Sequence, residues 1–495
     1  MNCYFSIDLG TTGLKTTLIN EDGQLIISRG KEYNIISKKS GWAEQDPTVW
    51  WDALKNTVSA INSEKPDLLK NIKAISICGQ MHTHVYLDRN KKPLRNSITW
   101  MDQRASDIIE KWKNDGLDKE IEKLTLNFPS TTYTAPQVLW IKENEPDVFY
   151  KTEKILLAKD YLKYLLTGEM ISDPSDASGT LLFDVKNNLW SEKLFDIFNL
   201  NRELFPEVRK STEIIGYLSK KASVELGIPS GVPVVNGGSD HSVSEVGSGL
   251  LSEGNASVII GTAGVLASVS NEPRRDLKNR IICWSYPIDG MWDFLAITQT
   301  AASSLTWFKN TFDADAEDNI YEEYSKLAEF IEPGSEGLLF LPYLMGERTP
   351  HWDSYARGVF FGMGMNHYKG HFIRAIMEGV VFSIRECLDI LRELGLSIDK
   401  VISMGGGSKS DVWCQIQADN FEKEVNTLKC NESGAMGNLI LSLFALGKIS
   451  SIEEAKKIVE IEKDYKPNIN NYDIYKKGFK KYKDLYRSIK KIYKE

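Results

Sequence analysis

The chain is poor in several features that would assign it to a special class. Its six cysteines, Cys3, Cys78, Cys283, Cys387, Cys414 and Cys430, are scattered over 495 residues with no C-x-x-C pair. They offer no disulfide framework, and they suit the reduced, mostly buried thiols of a cytoplasmic protein. No apolar run approaches the roughly 18 residues that a membrane span needs. The start, Met1-Asn2-Cys3-Tyr4, lacks the basic stretch of a secretory leader. Positive charge is not in excess either: 60 Lys and Arg against 68 Asp and Glu give a net charge of −8, which argues against nucleic acid as a partner. No G-x-x-x-x-G-K-[ST] occurs, so any phosphoryl chemistry lies outside the P-loop class.

What is present is the composition of a globular α/β protein, with 42% hydrophobic and 26% charged residues. The length exceeds one core, and two domains of roughly 250 residues are expected. The boundary is placed near Gly247, giving residues 1–247 and 248–495. Strands alternate with helical stretches in both halves. The longest predicted helix runs from Ile373 to Leu394. The lysine-rich tail after Tyr472 repeats Tyr475, Phe479, Tyr482 and Tyr486 at helical spacing, one packed face against one solvated basic face.

The most informative stretch opens the chain. An apolar run, Tyr4 to Ile7, ends in Asp8. Gly10-Thr11-Thr12-Gly13 forms a turn, and Lys15 begins a second β-branched run. A turn with almost no apolar surface has little to gain from packing. Its exposed N–H groups and Thr hydroxyls can grip phosphate oxygens, with Asp8 placed for Mg²⁺ or its water. A plain hairpin turn is the alternative. A second copy, Gly261-Thr262-Ala263-Gly264, follows the run Ala256 to Ile260 and lacks the Asp. Two such turns one domain apart point to a duplicated fold facing a nucleotide from both sides.

Four polar or glycine-rich clusters directly follow apolar β runs: Asp8 to Thr12, Gly79 to His82, Gly237 to His241, and Gly405 to Ser408. In α/β folds ligands collect at the carboxyl ends of strands. Asp240 is the candidate general base, since a sugar hydroxyl needs a proton acceptor at hydrogen-bond distance before it attacks phosphorus. Gly237 and Gly238 would let the substrate approach, and a helix cap is the alternative role for Asp240. His82 and His84 could be metal ligands, but no third ligand lies close in sequence. Hydrogen bonding to a polyhydroxylated ligand suits them better. Trp100 and Asp102, with Arg104 nearby, could line the same pocket, or serve as a core residue and a helix cap.

These residues resemble the FGGY carbohydrate kinases over essentially the whole chain. Asp8-Leu9-Gly10-Thr11-Thr12 is similar to the family's first phosphate motif, Gly261-Thr262 to its second, and Gly405-Gly406-Gly407-Ser408 to its adenosine motif. Gly358 to Met363, with His371-Phe372 and Ala375 to Glu378, resembles its C-terminal signature. Within the family, Gly79-Gln80-Met81-His82, Trp100-x-Asp102-x-Arg104, Ser175 to Thr180 and Gly346 to Pro350 are most like the xylulokinase branch.

The resemblance implies a two-domain actin/hexokinase-like (ribonuclease H-like) fold with a nucleotide cleft between the domains. It also implies an ATP-dependent phosphotransferase acting on a small sugar, D-xylulose first, with ribulose, L-xylulose or gluconate as alternatives. An actin-like switch ATPase is the alternative from another class, though it gives Met81, His82 and Trp100 no task. In this scheme Gln80, Met81, His82, Trp100, Asp102, Asp240 and His241 meet the sugar, and Asp240 is the base. Gly10, Thr11, Thr12, Lys15, Gly261, Thr262 and Gly405 to Ser408 hold ATP, while Asp8 and Asp240 serve Mg²⁺. Three positions depart from the branch: His241 stands where Asn is usual, Thr83-His84 where Gly follows the Met-His pair, and Gln137 where Lys is usual. No membrane partner is expected, and a homodimer is left open.

Overall fold

Why the opening stretch becomes a hairpin is visible in its pairing. Strands β1 (Cys3–Leu9) and β2 (Gly13–Ile19) are antiparallel, with Asp8 opposite Lys15 across the turn. A computed structural model describes residues 2–317 and 319–494 of the chain. In it β1 and β2 belong to a six-stranded sheet with β3 (Leu25–Glu32), β4 (Ile72–Gly79), β5 (Ile214–Tyr217) and β6 (Pro233–Ser239), in the order β5-β6-β4-β1-β2-β3. The strands β1, β4 and β6 are mutually parallel, and burial on both faces explains their near-continuous apolar runs.

A seven-stranded sheet repeats this plan. It consists of β7 (Gly254–Ile260), β8 (Gly264–Ser270), β9 (Ile282–Ser285), β10 (Trp292–Thr298), β11 (Ile398–Gly405), β12 (Glu424–Leu428) and β13 (Ile461–Tyr465), in the order β9-β10-β8-β7-β11-β12-β13. Here β7 and β8 form the hairpin around the second Gly-Thr turn, and β11 runs parallel to β7 as β4 does to β1. The duplication expected from two short turns is therefore a duplication of sheet topology. The mixed α/β, two-domain actin/hexokinase-like architecture follows from it.

Two helices join the halves. Helix α1 (Asp240–Gly247) leaves β6, and α3 (Ser433–Ala445) follows the long helix α2 (Lys369–Glu393) in the second half. They cross backbone to backbone: a Cβ on Gly247 would lie 1.8 Å from Ser433 O, and one on Gly437 1.9 Å from Val243 O. Glycine is required at both places. Beside the crossing, the buried Asn438 donates to Ser6 Oγ and accepts from Ser76 Oγ, both at 2.8 Å. It thus fastens α3 of the second half under β1 and β4 of the first. Among the described residues no helix is long and apolar enough to cross a membrane. The tail helix spans Tyr472–Ile489 and packs its tyrosines as its periodicity indicates.

Candidate active site

The strand β6 delivers Asp240 to the head of α1, and Ser239 takes the capping task by accepting the Ser242 N–H. That leaves one Asp240 oxygen to accept the His241 N–H at 2.8 Å, and no other side chain bonds the carboxylate among the described residues. Gly237 and Gly238 serve packing rather than substrate approach. A Cβ on Gly237 would meet Ile77 O at 1.8 Å, and one on Gly238 would meet Ser175 Oγ at 2.8 Å. Burial, reinforced by the charge of Asp8, pushes Asp240 up to about 7. Asp8 at the end of β1 is also raised by burial, partly offset by Lys15. Two carboxylates near enough for the charge of Asp8 to raise Asp240 form a hard-oxygen donor pair whose repulsion a divalent cation relieves.

Asp240 lies in the wall of a cavity of about 380 Å³ shared by both halves. Thr11, Met81, His82 and Trp100 line it from the first half, as does Tyr133; Arg280, Trp284, Ile297, Arg348 and Trp352 come from the second. His82 is held at φ 66°, its Nδ1 donating to Gly179 O at 2.6 Å and its ring edge-on to Tyr133. Burial keeps this imidazole neutral, with its pKa lowered to about 4. With Nδ1 protonated, Nε2 is left as an acceptor for a ligand hydroxyl. Trp100 donates from Nε1 to Thr11 Oγ1 at 2.9 Å, which ties the sugar side to the first phosphate turn. The second-half lining residues carried no assignment from sequence. The run Gly346 to Pro350 was the one signal pointing to Arg348.

Three expected sugar contacts sit elsewhere. Gln80 is buried behind the cavity, donating to Gln45, which in turn donates to Thr11 O. Asp102 is fully buried. One oxygen accepts from the Arg104 N–H and Nε, the other from Ala43 N and Arg104 Nη2, and Arg104 also meets Glu44 at 2.8 Å. Its charge is spent inside the domain, where it shapes the loop that presents Trp100. It is not a helix cap, since the next helix starts at Ser106. His241 is not among the residues that line the cavity; its ring lies against Asp293 and Glu245. Burial opposes its charge, but Asp293 and Glu245 outweigh this and raise it to about 9. His84 bonds His82 O and Tyr86 OH, which engages both its ring nitrogens.

In the second half a further cavity of about 360 Å³ is lined by Met404, Gly405, Gly406, Lys409, Asn431 and Ser433 among others. Gly407 is buried against Ile260, and Ser408 Oγ donates to Gly405 O, so these two shape the loop rather than line the cavity. Thr12 and Thr262 are exposed at the two turns. Thr262 O accepts from Ala301 N and Ser303 Oγ, which anchors the second turn. Lys15 spans the halves, its ammonium 2.9 Å from Glu432 at the head of α3.

Beneath Asp240 lies a wholly buried charge cluster. Lys159 Nζ is 2.7 Å from Asp160, 2.5 Å from Asp173 and 3.0 Å from Asp176. The three carboxylates are grouped closely enough for a metal ion, but the ammonium already fills that role. Asp173 accepts from Ser175 Oγ, which accepts from Ser239 N at 3.0 Å. The cluster therefore supports the turn that carries Asp240.

Comparison with known proteins identifies the family. The model for the N-terminal domain of the FGGY family of carbohydrate kinases matches residues 3–247, and that for the C-terminal domain matches 256–446. The chain is 36% identical to a xylulose kinase of Bacillus subtilis, covering 99% of this chain and 98% of that one. It is 31% identical to a gluconokinase of the same organism, covering 92% and 89%. The solved structure of a ligand-bound xylulose kinase from Lactobacillus acidophilus superposes with a TM-score of 0.91 at 29% identity, covering 99% and 98%. The chain belongs to the FGGY family of carbohydrate kinases. It is a phosphotransferase of the sugar-kinase class.

Proposed function

We propose that this protein transfers the γ-phosphoryl group of MgATP to a ketose, D-xylulose first, giving D-xylulose 5-phosphate. The observation that carries the reading is Asp240. Its carboxylate is relieved of capping by Ser239, raised to about 7, and set in one cavity with Met81, His82 and Trp100. A base with that proton affinity is half-ionised near neutral pH, where proton transfer is most effective. The similarity to xylulose kinases over the full length supplies the sugar.

In this reading residues 1–247 bind the sugar and carry the base, and 248–495 bind most of the ATP. His82 Nε2 accepts from a sugar hydroxyl and Trp100 covers an apolar face of the ring or chain. Asp240 accepts the proton of the C5 hydroxyl as its oxygen bonds to the γ-phosphorus and the bond to ADP breaks. Asp8 and Asp240 would hold Mg²⁺, which screens phosphate charge when bound. The two Gly-Thr turns and the N-terminus of α3, with Ser433 on the cavity wall, offer N–H groups to the phosphates. Gly405 and Gly406 leave room for the adenosine. Enclosure between two halves excludes water and disfavours hydrolysis.

The deciding experiment is ADP release with MgATP over D-xylulose, D-ribulose, L-xylulose, gluconate and glycerol. D-xylulose giving the highest kcat/KM is the expected result. No sugar-stimulated release at all would overturn the kinase reading. A second reading, a sugar acid, is favoured by one observation. Arg348 lines the cavity, and its guanidinium has no hydrogen-bond acceptor among the described residues, which suits a carboxylate. Gluconate leading the panel would select it.

A further inference from the structure

The residue after the base departs from the usual Asn, and the other half of the molecule holds its counterpart. His241 Nε2 lies 3.3 Å from Asp293 Oδ2, and Nδ1 lies 3.9 Å from Glu245 Oε1. Both carboxylates are fully buried, and no lysine or arginine pairs with either among the described residues. Ser242 Oγ donates to the same Asp293 oxygen at 3.3 Å. The charged groups facing the ring are Asp293, Glu245 and Asp240.

Glu245 is one turn along α1, but Asp293 is on β10, whose Leu295 and Ile297 wall the sugar cavity. The bridge therefore runs between the helix that begins with Asp240 and a strand of the opposite half. We propose that His241 is a positioning residue that pins α1, and with it the Asp240 carboxylate, to the β10 wall of the cavity. An Asn at 241 is shorter and cannot hold Asp293 on β10 and Glu245 on α1 at once, as the two ring nitrogens do. This rests on the reading of Asp240 as the base. It gives His241 a role in alignment rather than in sugar contact.

The test is a cycle of His241→Asn, Asp293→Asn and the double variant, with His241→Gln as the conservative change that keeps a donor toward Asp293. All are assayed with D-xylulose at saturating MgATP. Each Asn variant is expected to lower kcat at least tenfold while KM for the sugar moves less than threefold. The double variant should be no slower than the slower single, and Gln should retain most of the rate. Losses that multiply in the double variant, or a His241→Asn effect confined to sugar KM, would overturn the proposal. Urea midpoints of the same proteins give a readout independent of turnover, where the two sites should be coupled and additive shifts would remove the bridge. A wild-type protein with no sugar-stimulated turnover ends the kinase reading, and the positioning role with it. A coupled cycle of midpoints would then still identify the bridge as structural.

Discussion

Replacing Asp240 by Asn should make the protein slower and more stable at once. The carboxyl's pKa is raised from 3.8 to about 7, chiefly by burial and then by Asp8. A carboxyl that binds protons more tightly when folded loses stability as pH rises from its unfolded value through its folded one. At about 1.4 kcal/mol for each tenfold change in proton affinity, ionising Asp240 costs the folded metal-free protein about 4 kcal/mol above pH 7. Asparagine keeps the acceptor for the His241 N–H and removes the charge, so most of that cost should be recovered. The gain should be roughly 1.5 kcal/mol at pH 5 and about 4 kcal/mol at pH 8, and should vanish below the unfolded pKa. Urea denaturation at the two pH values, without divalent cations, measures the difference. Loss of the general base should lower kcat by about 10²- to 10⁴-fold. A variant destabilised at pH 8, or one whose gain is the same at pH 5 and pH 8, would refute the reasoning.

Lys159→Met should destabilise the fold by about 3–5 kcal/mol, because three buried carboxylates lose the ammonium they share; an unchanged urea midpoint would contradict this. Gly179→Ala places a Cβ 2.7 Å from the His82 ring, and sugar KM should rise about tenfold with KM for MgATP unchanged, since a displaced polar contact is worth about 1.4 kcal/mol or more. Asp102→Ala leaves Arg104 without its main buried partner and should cost about 3–5 kcal/mol of stability. A tenfold rise in sugar KM with an unaltered midpoint would instead return Asp102 to the sugar pocket.

The parts of the fold that sequence revealed are those encoded by contiguous residues. The turns at Gly10–Gly13 and Gly261–Gly264, with an almost continuously buried strand on each side, fix two hairpins without outside help. Asp240 was recognisable because a strand, two glycines and a helix start surround it within a dozen residues. Asp102 and His241 are absent from the cavity lining for a common reason. The direction of each side chain is set by a buried partner of opposite charge, and only for Asp102 is that partner a sequence neighbour. Arg104 draws Asp102 inward; Asp293, on a strand of the other half, holds the His241 ring. Trp284 and Trp352 were invisible as cavity residues because no local pattern records which loops two domains bring together.

The contacts around Asp240 divide the site into a held floor and an open wall. From below, Lys159 fixes Asp173, Asp173 fixes Ser175, and Ser175 receives the N–H of Ser239. From behind, Gly237 lets β6 lie directly on Ile77 of β4. From the side, His241 reaches Asp293. These supports are short-range and buried, so a change in any of them displaces the base and is felt mainly in kcat. The opposite wall is built from Arg280, Trp284, Arg348 and Trp352 on loops and strand ends of the second half. Trp352 touches the first half edge-on at Phe128, ring centres 5.0 Å apart. Substitutions on that wall can reshape the space for a sugar while the base stays where it is, and they should act mainly on KM and substrate choice. With Asp240 as the proposed base, phosphoryl transfer and sugar selection would fall to different residues of one cavity, and the ratio of kcat to KM effects across the two sets tests that division.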